Sequence, residues 1–251
     1  MAEHAWLRER PIAHRGLHDL AAGRPENSLA AFMQACELDY PAELDVRLAS
    51  DGEVMVIHDA SLRRLTGVDR LVRDTPAHEI ARLSLLGTGE RIPRLSEVLD
   101  AVAGRVPLLL DFKPSTLGTA LEDAVVRAVA GYEGPVAMEA FSPLSLLKLK
   151  ALGVPSPRGQ VSGCLSSAPP IVRSIGRRMA MNAVVAPDFI AYELAALPSA
   201  AASFWRRRGL PIIAWTVQSP EDAERAGSLA DNYLFSGFTP AVATSAGGRR
   251  V

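Results

Sequence analysis

The sequence predicts a (β/α)8 barrel, and three observations lead to that fold class. The chain has 251 residues, 48% of them hydrophobic and 22% charged, which is typical of one large folded domain or two small ones. Short runs rich in Val, Ile and Leu alternate with longer segments of helical periodicity, as in a parallel sheet with crossover helices. Eight such runs remain once a hairpin arm is set aside, which is the strand number of this barrel.

The predicted strands are short apolar runs that recur along the whole chain. They are residues 12–14, 43–46, 54–58, 108–112, 136–141, 159–162, 183–186, 212–217 and 233–235. Only a short segment around Asp51 and Gly52 joins the second and third runs, whereas a parallel crossover needs a dozen or more residues. The third run is therefore expected to return as the antiparallel arm of a β-hairpin, bringing His58 to the level of Glu43 and Asp45.

A single domain over residues 1–251 is the expected organisation, because no long linker or low-complexity stretch divides the chain. The segment of about 60–104 is too long for a simple connection and contains helix-like segments at 75–83 and 95–103. We expect it to form a small insertion beside the site mouth, before the third parallel strand. An open doubly wound sheet is the competing architecture, but no glycine-rich loop follows the first strand.

Charge and hydropathy exclude several classes of function. Lys plus Arg total 27 against 28 for Asp plus Glu, so a net charge of −1 gives no global field for nucleic acid or an anionic membrane. The N-terminus is polar, and no apolar run approaches the ~20 residues of a membrane span. We therefore expect a cytoplasmic protein with a small-molecule partner, no nucleic-acid partner and no stable membrane insertion.

Polar side chains gather at the carboxyl ends of the predicted strands, where barrels of this class carry their active sites. The residues concerned are His14, Arg15, Glu43, Asp45, His58, Asp111 and Lys113. Glu43 and Asp45 lie on one face of their strand, because strand side chains repeat every two residues. Each residue alone has an ordinary explanation, such as a core histidine or a solvated edge, so their coincidence is the informative observation.

These residue types suit one kind of chemistry when they lie together. The three carboxylates suit one divalent cation that prefers oxygen ligands, Mg²⁺ or Ca²⁺, with its other positions left for water or substrate. Two histidines beside such a cation suit general acid and base catalysis on a phosphate ester. The arginine and the lysine would then stabilise charge on the non-bridging oxygens.

Several motifs follow one another in order along residues 12–240. They are His14-Arg15-Gly16, Pro25-Glu26-Asn27, Glu43-Leu44-Asp45-Val46, Asp51-Gly52, Val54-Met55-Val56-Ile57-His58-Asp59, Ile92-Pro93-Arg94-Leu95-Ser96-Glu97-Val98-Leu99 and Trp215-Thr216-Val217. In this order and spacing they resemble the motifs of the glycerophosphodiester phosphodiesterases, a family of the phospholipase C-like phosphodiesterase group.

The resemblance implies an enzyme that hydrolyses glycerophosphodiesters to sn-glycerol 3-phosphate and an alcohol. It implies that Glu43 and Asp45, with the third carboxylate at Asp111, hold the divalent cation. It also implies that His14 and His58 share the acid and base roles, in an order that the sequence leaves open. The attacking oxygen is that of water or of the glycerol 2-hydroxyl.

The resemblance assigns roles to further residues around the phosphate. Arg15 is expected to bind a phosphate oxygen, with Lys113 as a compact charge beside it. Trp215 is expected to form an apolar wall against the glycerol carbons. Glu26 and Asn27 are expected behind the ligands, and Asn27 is expected to cap the helix at 28–38 as well.

Two positions depart from the family pattern. Asp111 stands where the family usually has a glutamate, although the related sphingomyelinase D-like enzymes have an aspartate there. Glu139-Ala140-Phe141 stands where the family commonly has Ser-Phe. Glu139 is expected either to add a carboxylate to the site or to point outward, on the opposite face from Ala140.

Two other functions stay open on the sequence alone. The same site could act on a lysophospholipid or sphingolipid head group, which would need an apolar groove at the mouth for the acyl chain. A barrel without catalysis could bind a phosphorylated ligand, although binding alone does not require paired acid and base residues.

Overall fold

The sheet of this protein closes into a barrel, as shown by a computed structural model that describes residues 5–115, 118–164, 176 and 178–240. The strands are β1 (Ile12–Ala13), β2 (Ala42–Leu48), β3 (Val54–Val56), β4 (Leu108–Phe112), β5 (Val136–Ala140), β6 (Arg158–Ser162), β7 (Phe189–Glu193), β8 (Ile212–Val217) and β9 (Asn232–Phe235). The neighbours run β1-β9-β8-β7-β6-β5-β4-β2 in parallel, and β1 pairs with β2 to close the ring. The predicted (β/α)8 barrel is confirmed.

Helices alternate with the strands along the chain. They are α1 (Trp6–Glu9), α2 (Leu29–Glu37), α3 (Arg63–Thr66), α4 (Ala77–Ile80), α5 (Leu95–Val102), α6 (Ala120–Val129), α7 (Pro143–Ala151), α8 (Asn182–Val185), α9 (Ala200–Arg206) and α10 (Pro220–Leu229). Short 3-10 turns lie at Leu20–Ala22, Val72–Asp74 and Leu194–Ala196. Among the described residues, no helix has the length and apolar character needed to cross a membrane.

The hairpin after the second strand forms as predicted. β3 is antiparallel to β2, with Val46 opposite Val56, and the amide of Ile57 donates to the carbonyl of Asp45 at 2.9 Å. Gly52 has a φ of 86°, which a glycine adopts without steric cost in the tight turn. The returning arm therefore places His58 beside the carboxyl end of β2.

The strand predicted at residues 183–186 is wrong. These residues form the single-turn helix α8, and the strand in that place of the barrel is β7, where Ile190 pairs with Ile212 of β8. Val185 is buried in the main core from its helical turn, whereas Val184 is exposed. β-branched residues favour a strand only where a sheet offers them neighbours, so the local preference was overridden.

The segment between the hairpin and β4 builds a small second core, which we name the satellite core. Its buried residues are Ala49, Met55, Ile57, Leu62, Leu65, Val72, Ala77, Ile80, Leu85 and Ile92. The helix predicted at 75–83 is shorter in the structure, because it starts after Pro76, where Asp51 accepts from the amide of Ala77 at 2.9 Å. The helix predicted at 95–103 is α5, which packs against α2 as a crossover helix of the barrel.

The N-terminal helix α1 closes the floor of the barrel. Its Trp6 and Leu7 belong to an apolar cluster with the inward residues Ile12, Leu109, Ala137, Phe189, Ile213 and Leu234. The Asn232 side chain donates to the carbonyls of Leu7 and Arg10 at 3.1 and 2.6 Å, which ties this helix to β9. The lower part of the barrel interior is therefore filled by apolar side chains.

Candidate active site

The loop after β1 turns sharply and brings His14 and Arg15 over the end of β2. Arg15 and Gly16 both have positive φ, 61° and 76°. An added Cβ on Gly16 would lie 2.9 Å from Ala31 in α2, so this close approach requires glycine. The amide of Arg15 donates to Oε2 of Glu43 at 2.8 Å, so the turn itself orients that carboxylate.

Three buried carboxylates converge at the ends of β2 and β4. Oxygens of Glu43, Asp45 and Asp111 lie within 4.8 Å of one another, and Asp45 and Asp111 are in-register partners on the two strands. Burial, followed by the charge of neighbouring Asp45 and Asp111, raises the pKa of Glu43 well above its ordinary value. Burial also raises the pKa of Asp111, to about 6, although Lys113 partly offsets it.

The carboxylate cluster fits a divalent cation on two further observations. Oδ1 of Asp45 and Oδ1 of Asp111 are buried without a hydrogen-bond partner. Like charges this close repel each other in a low dielectric, and a bound cation relieves both the repulsion and the missing contacts. Because all the donors are carboxylate oxygens, the chemistry of the set matches a hard cation such as Mg²⁺ or Ca²⁺.

Two basic side chains border the cluster. Nε of Arg15 lies 3.3 Å from Oδ2 of Asp45, and Nζ of Lys113 lies 3.3 Å from Oδ1 of the same carboxylate. Lys113 also donates to Oδ2 of Asp111. Burial lowers the pKa of Lys113, but the carboxylates of Asp111 and Asp45 outweigh burial and the net shift is upward, so this side chain stays charged.

Asn27 and Glu26 lie behind these groups. Nδ2 of Asn27 donates to Oδ2 of Asp45 at 2.9 Å, and Glu26 accepts from Arg15 at 2.7 Å. The expected capping role of Asn27 is wrong: Ser28 is the N-cap of α2, and its hydroxyl accepts from the amide of Ala31. Asn27 instead adopts a φ of 56°, which aims its amide away from the helix and toward the carboxylate.

The two histidines face the cluster from opposite sides of the β2 end. Nε2 of His14 lies 3.9 Å from Oε2 of Glu43, and burial, with Arg15 adding to it, lowers the His14 pKa to about 3. His58 donates from Nδ1 to Asp59 at 2.8 Å, because hydrogen bonds from Arg64 and His58 keep the pKa of Asp59 at about 2 despite burial. The other ring nitrogen of His58 is then left to exchange a proton.

A cavity of about 200 Å³ opens above the cluster, and most of the predicted residues line it. They are His14, Arg15, Glu43, His58, Asp111, Lys113 and Trp215. The indole of Trp215 packs edge-on against Phe141, with ring centroids 5.6 Å apart. Glu139 also lines this cavity, so of its two expected orientations the structure has the inward one.

Two arginines of the site escaped the sequence analysis. Arg47 donates to the backbone carbonyls of His58 and Lys113, at 2.7 and 3.1 Å, and so joins the hairpin arm to β4. Arg64 of α3 contacts Glu26 and Asp59 together. The sequence signal for Arg47 is its place on β2 two residues after Asp45, whereas nothing local distinguishes Arg64 from Arg63 beside it.

The barrel, the acidic cluster and the basic side chains at one rim define a (β/α)8 hydrolase of phosphate diesters. Comparison with known proteins agrees: the model of the glycerophosphoryl diester phosphodiesterase family matches residues 14–231. The chain belongs to this family. A glycerophosphodiester phosphodiesterase of Caldanaerobacter subterraneus subsp. tengcongensis is 30% identical over 225 residues, covering 85% of this chain and 88% of the relative.

Other similar proteins extend this comparison. A lysophospholipase D of Rattus norvegicus is 36% identical over 118 residues, which cover 41% of this chain and 36% of the relative. A solved phosphodiesterase of Oleispira antarctica, in complex with the product sn-glycerol-3-phosphate, has a TM-score of 0.77 at 24% identity, covering 90% of this chain and 92% of that chain. That structural likeness bears on the fold. The predicted family and enzyme class are confirmed by the family match.

Proposed function

We propose that this protein hydrolyses glycerophosphodiesters to sn-glycerol 3-phosphate and an alcohol, with His14 and His58 as acid and base. One divalent cation, Mg²⁺ or Ca²⁺, would be held by Glu43, Asp45 and Asp111. The observation that carries the proposal is the meeting of these carboxylates and both histidines at one small cavity. Binding of a phosphate alone does not require two imidazoles at one site, whereas catalysis by a paired acid and base does.

Charge on the phosphate is stabilised from several sides in this scheme. A cation held by Glu43, Asp45 and Asp111 would supply Lewis-acid stabilisation of charge on the phosphate. Arg15 and Lys113 donate to phosphate oxygens, and both are already held within 3.3 Å of Asp45 before substrate arrives. Donors fixed in place in this way need no rearrangement as charge develops in the transition state.

The two histidines carry out the proton transfers in this scheme. One imidazole accepts the proton of the attacking oxygen, and the other donates a proton to the leaving alcohol as its bond to phosphorus breaks. Asp59 supports His58 in either role, since its hydrogen bond to Nδ1 fixes the tautomer and stabilises the imidazolium form.

The size of the cavity favours a compact substrate. At about 200 Å³ the cavity is smaller than the roughly 300–1,000 Å³ of sites for drug-sized ligands. Trp215, steadied by Phe141, offers an apolar face to the glycerol carbons. The Oleispira antarctica relative with bound sn-glycerol-3-phosphate supports the same product here.

A second candidate substrate is a lysophospholipid head group. Two observations favour it: the similarity of 118 residues to a rat lysophospholipase D, and the 39% exposure of Phe141 at the mouth, where an acyl chain could lie. The small cavity weighs against it, because the phosphate must lie at its base. A sphingolipid head group, the other alternative expected from the sequence, would need the same apolar mouth for its acyl chain.

A substrate panel tests the proposal. Glycerophosphocholine, glycerophosphoethanolamine and lysophosphatidylcholine are each incubated with Mg²⁺, Ca²⁺, Mn²⁺ or EDTA, and released sn-glycerol 3-phosphate and choline are measured. We expect turnover of the glycerophosphodiesters that EDTA abolishes. Full activity in EDTA would contradict the cation, faster turnover of the lysolipid would favour the second candidate, and calorimetric binding without alcohol release would favour a non-catalytic barrel.

We also infer that residues 1–251 form a single barrel domain. Support comes from the pairing of β1 with β9, which joins the two ends of the described chain in one sheet. The cytoplasmic location expected from the sequence stays a prediction.

A further inference from the structure

Glu139 is a fourth carboxylate beside the cluster, and the proposed hydrolysis has no role for it. Asp45, Asp111 and Glu139 are in-register partners across β2, β4 and β5. Neighbouring strands lie about 4.8 Å apart, so the three side chains form one row inside the barrel. Glu139 is 2% exposed and faces the cavity.

Three oxygens of this row lack any hydrogen-bond partner, and Oδ1 of Asp45 is one of them. Asp111 accepts from Lys113 through Oδ2, which leaves its Oδ1 buried and unpartnered. Oε2 of Glu139 is buried and unpartnered as well. Buried carboxylate oxygens are costly unless a donor or a cation satisfies them, and those of Asp111 and Glu139 lie on adjacent strands.

Glu139 lies outside the group of carboxylates that the first cation would contact. The group whose oxygens lie within 4.8 Å of one another contains Glu43, Asp45 and Asp111 but not Glu139. Asp111 is the shared neighbour, since it belongs to that group and is also the register partner of Glu139. On the other side Glu139 faces Gly159 of β6, which offers no side chain to neutralise it.

The balance of charge around the phosphate position also favours more positive charge than one divalent cation supplies. When all four carboxyl groups are ionised, as cation ligands are, their four negative charges face only the two positive charges of Arg15 and Lys113. A single divalent cation brings the site only to neutrality, and a phosphodiester anion would then make it negative.

We propose that Asp111 and Glu139 hold a second divalent cation, next to the one at Glu43, Asp45 and Asp111. Two carboxylates with water completing the shell suit a small hard ion such as Mg²⁺ or Mn²⁺. This inference rests on the proposed function, because the second cation would lie next to the first one proposed there. A pair of cations flanking one phosphate is a known arrangement for stabilising the attacking and leaving oxygens of a displacement.

Cation stoichiometry tests this inference without relying on activity. The EDTA-stripped full chain is titrated with Mn²⁺, and free Mn²⁺ is counted by electron paramagnetic resonance. We expect two Mn²⁺ ions per wild-type chain, with a spectrum broadened by spin coupling between neighbouring ions, and one uncoupled ion in Glu139→Gln. Glu122→Gln is the matched control, because Glu122 is buried in α6 with an unpartnered Oε2 outside this site.

The remaining outcomes separate the two proposals. One ion per wild-type chain overturns the second site. Two ions in Glu139→Gln overturn it as well, because the second ion would then lie elsewhere. If no ion binds to the wild type, the cation of the proposed function fails too. Glu139→Met, of similar volume, repeats the count if the glutamine variant does not fold by circular dichroism.

Discussion

Arg64 holds Glu26 with both of its terminal guanidinium nitrogens, at 2.8 and 2.9 Å. The same guanidinium donates through Nε to Asp59. Glu26 in turn accepts from Arg15, and Asp59 accepts from His58. One side chain of the insertion therefore positions both Arg15, which we propose binds phosphate, and His58, which we propose as acid or base, through their carboxylate partners.

Arg64→Ala should lower kcat/KM by about 10–100-fold, the usual effect of losing a group that orients active-site residues. The lysine variant should recover little, since an ammonium cannot reproduce the fork of donors that spans two carboxylates. Steady-state kinetics on glycerophosphocholine measure both effects. Arg63→Ala is the control, because Arg63 is largely exposed and 3.6 Å from Asp69; equal losses in the two alanine variants would contradict the positioning role.

Loss of either histidine should slow the chemical step rather than cation binding. We expect His14→Ala and His58→Ala each to lower kcat by about 10²–10⁴-fold, the range for general acid or base groups. His78→Ala, at an exposed position of α4, should leave kcat unchanged. Calorimetric titration with Mg²⁺ should give wild-type affinity in all three variants, and a histidine variant that kept wild-type kcat would remove that residue from the mechanism.

The elevated pKa of Asp111 makes cation-free stability depend on pH. Because the folded protein holds this proton up to about pH 6, against an ordinary pKa of 3.8, folding stability falls as pH rises through that window. Asp111→Asn cannot ionise, so in EDTA at pH 7 it should melt at a higher temperature than the wild type. Saturating Mg²⁺ should reverse the order, since only the wild type keeps all three ligands.

Thermal unfolding at pH 5 and pH 7, with EDTA or Mg²⁺, measures this reversal. Asp100→Asn changes an exposed carboxylate in α5 and should show no reversal. A lower melting temperature for Asp111→Asn than for the wild type in EDTA at pH 7 would show that repulsion in the cluster is already relieved without a cation.

Alanine substitutions at two glycines of the loop after β1 should distinguish the cost of steric crowding from the cost of backbone strain. Gly16 and Gly23 have almost the same φ, 76° and 74°, but an added Cβ meets Ala31 at 2.9 Å only at Gly16. Gly23→Ala should cost the left-handed conformation alone, about 1–2 kcal/mol. Gly16→Ala should cost about 1–3 kcal/mol more through overpacking. Urea unfolding measures the free energy of unfolding of both variants. Equal losses of stability would mean that the backbone around Gly16 shifts to accommodate the added methyl group without cost.

Much of the fold follows from strand patterns that tertiary contacts reinforce. The predicted runs 108–112 and 212–217 coincide with β4 and β8, whose apolar residues, apart from the half-buried Trp215, are buried on both faces of the barrel wall. At 183–186 the β-branched residues misled the prediction. The strand is β7, whose Phe-Ile-Ala-Tyr run follows Pro187 and Asp188. This run resembles the other strands more closely than residues 183–186 do.

Some residues of the candidate site could likewise be predicted from the sequence, and others could not. Residues at strand ends could be predicted because parallel strands all present their carboxyl ends at one rim, and this rule brought His14, Glu43 and Asp111 together. Arg64 could not be predicted, because its partners Glu26 and Asp59 meet only after the insertion has folded across the rim. Local sequence specifies which groups reach the rim, whereas long-range packing decides which of them touch.

The placement of His58 has a consequence for how the protein responds to heat. The barrel wall does not carry this residue directly; His58 follows the arm β3, and the face of that arm with Met55 packs in the satellite core. A small apolar cluster opens at a lower free energy than a closed barrel unfolds. Warming should therefore disengage one imidazole while the ring of strands stays intact, so inactivation on heating should set in below the melting temperature of the barrel.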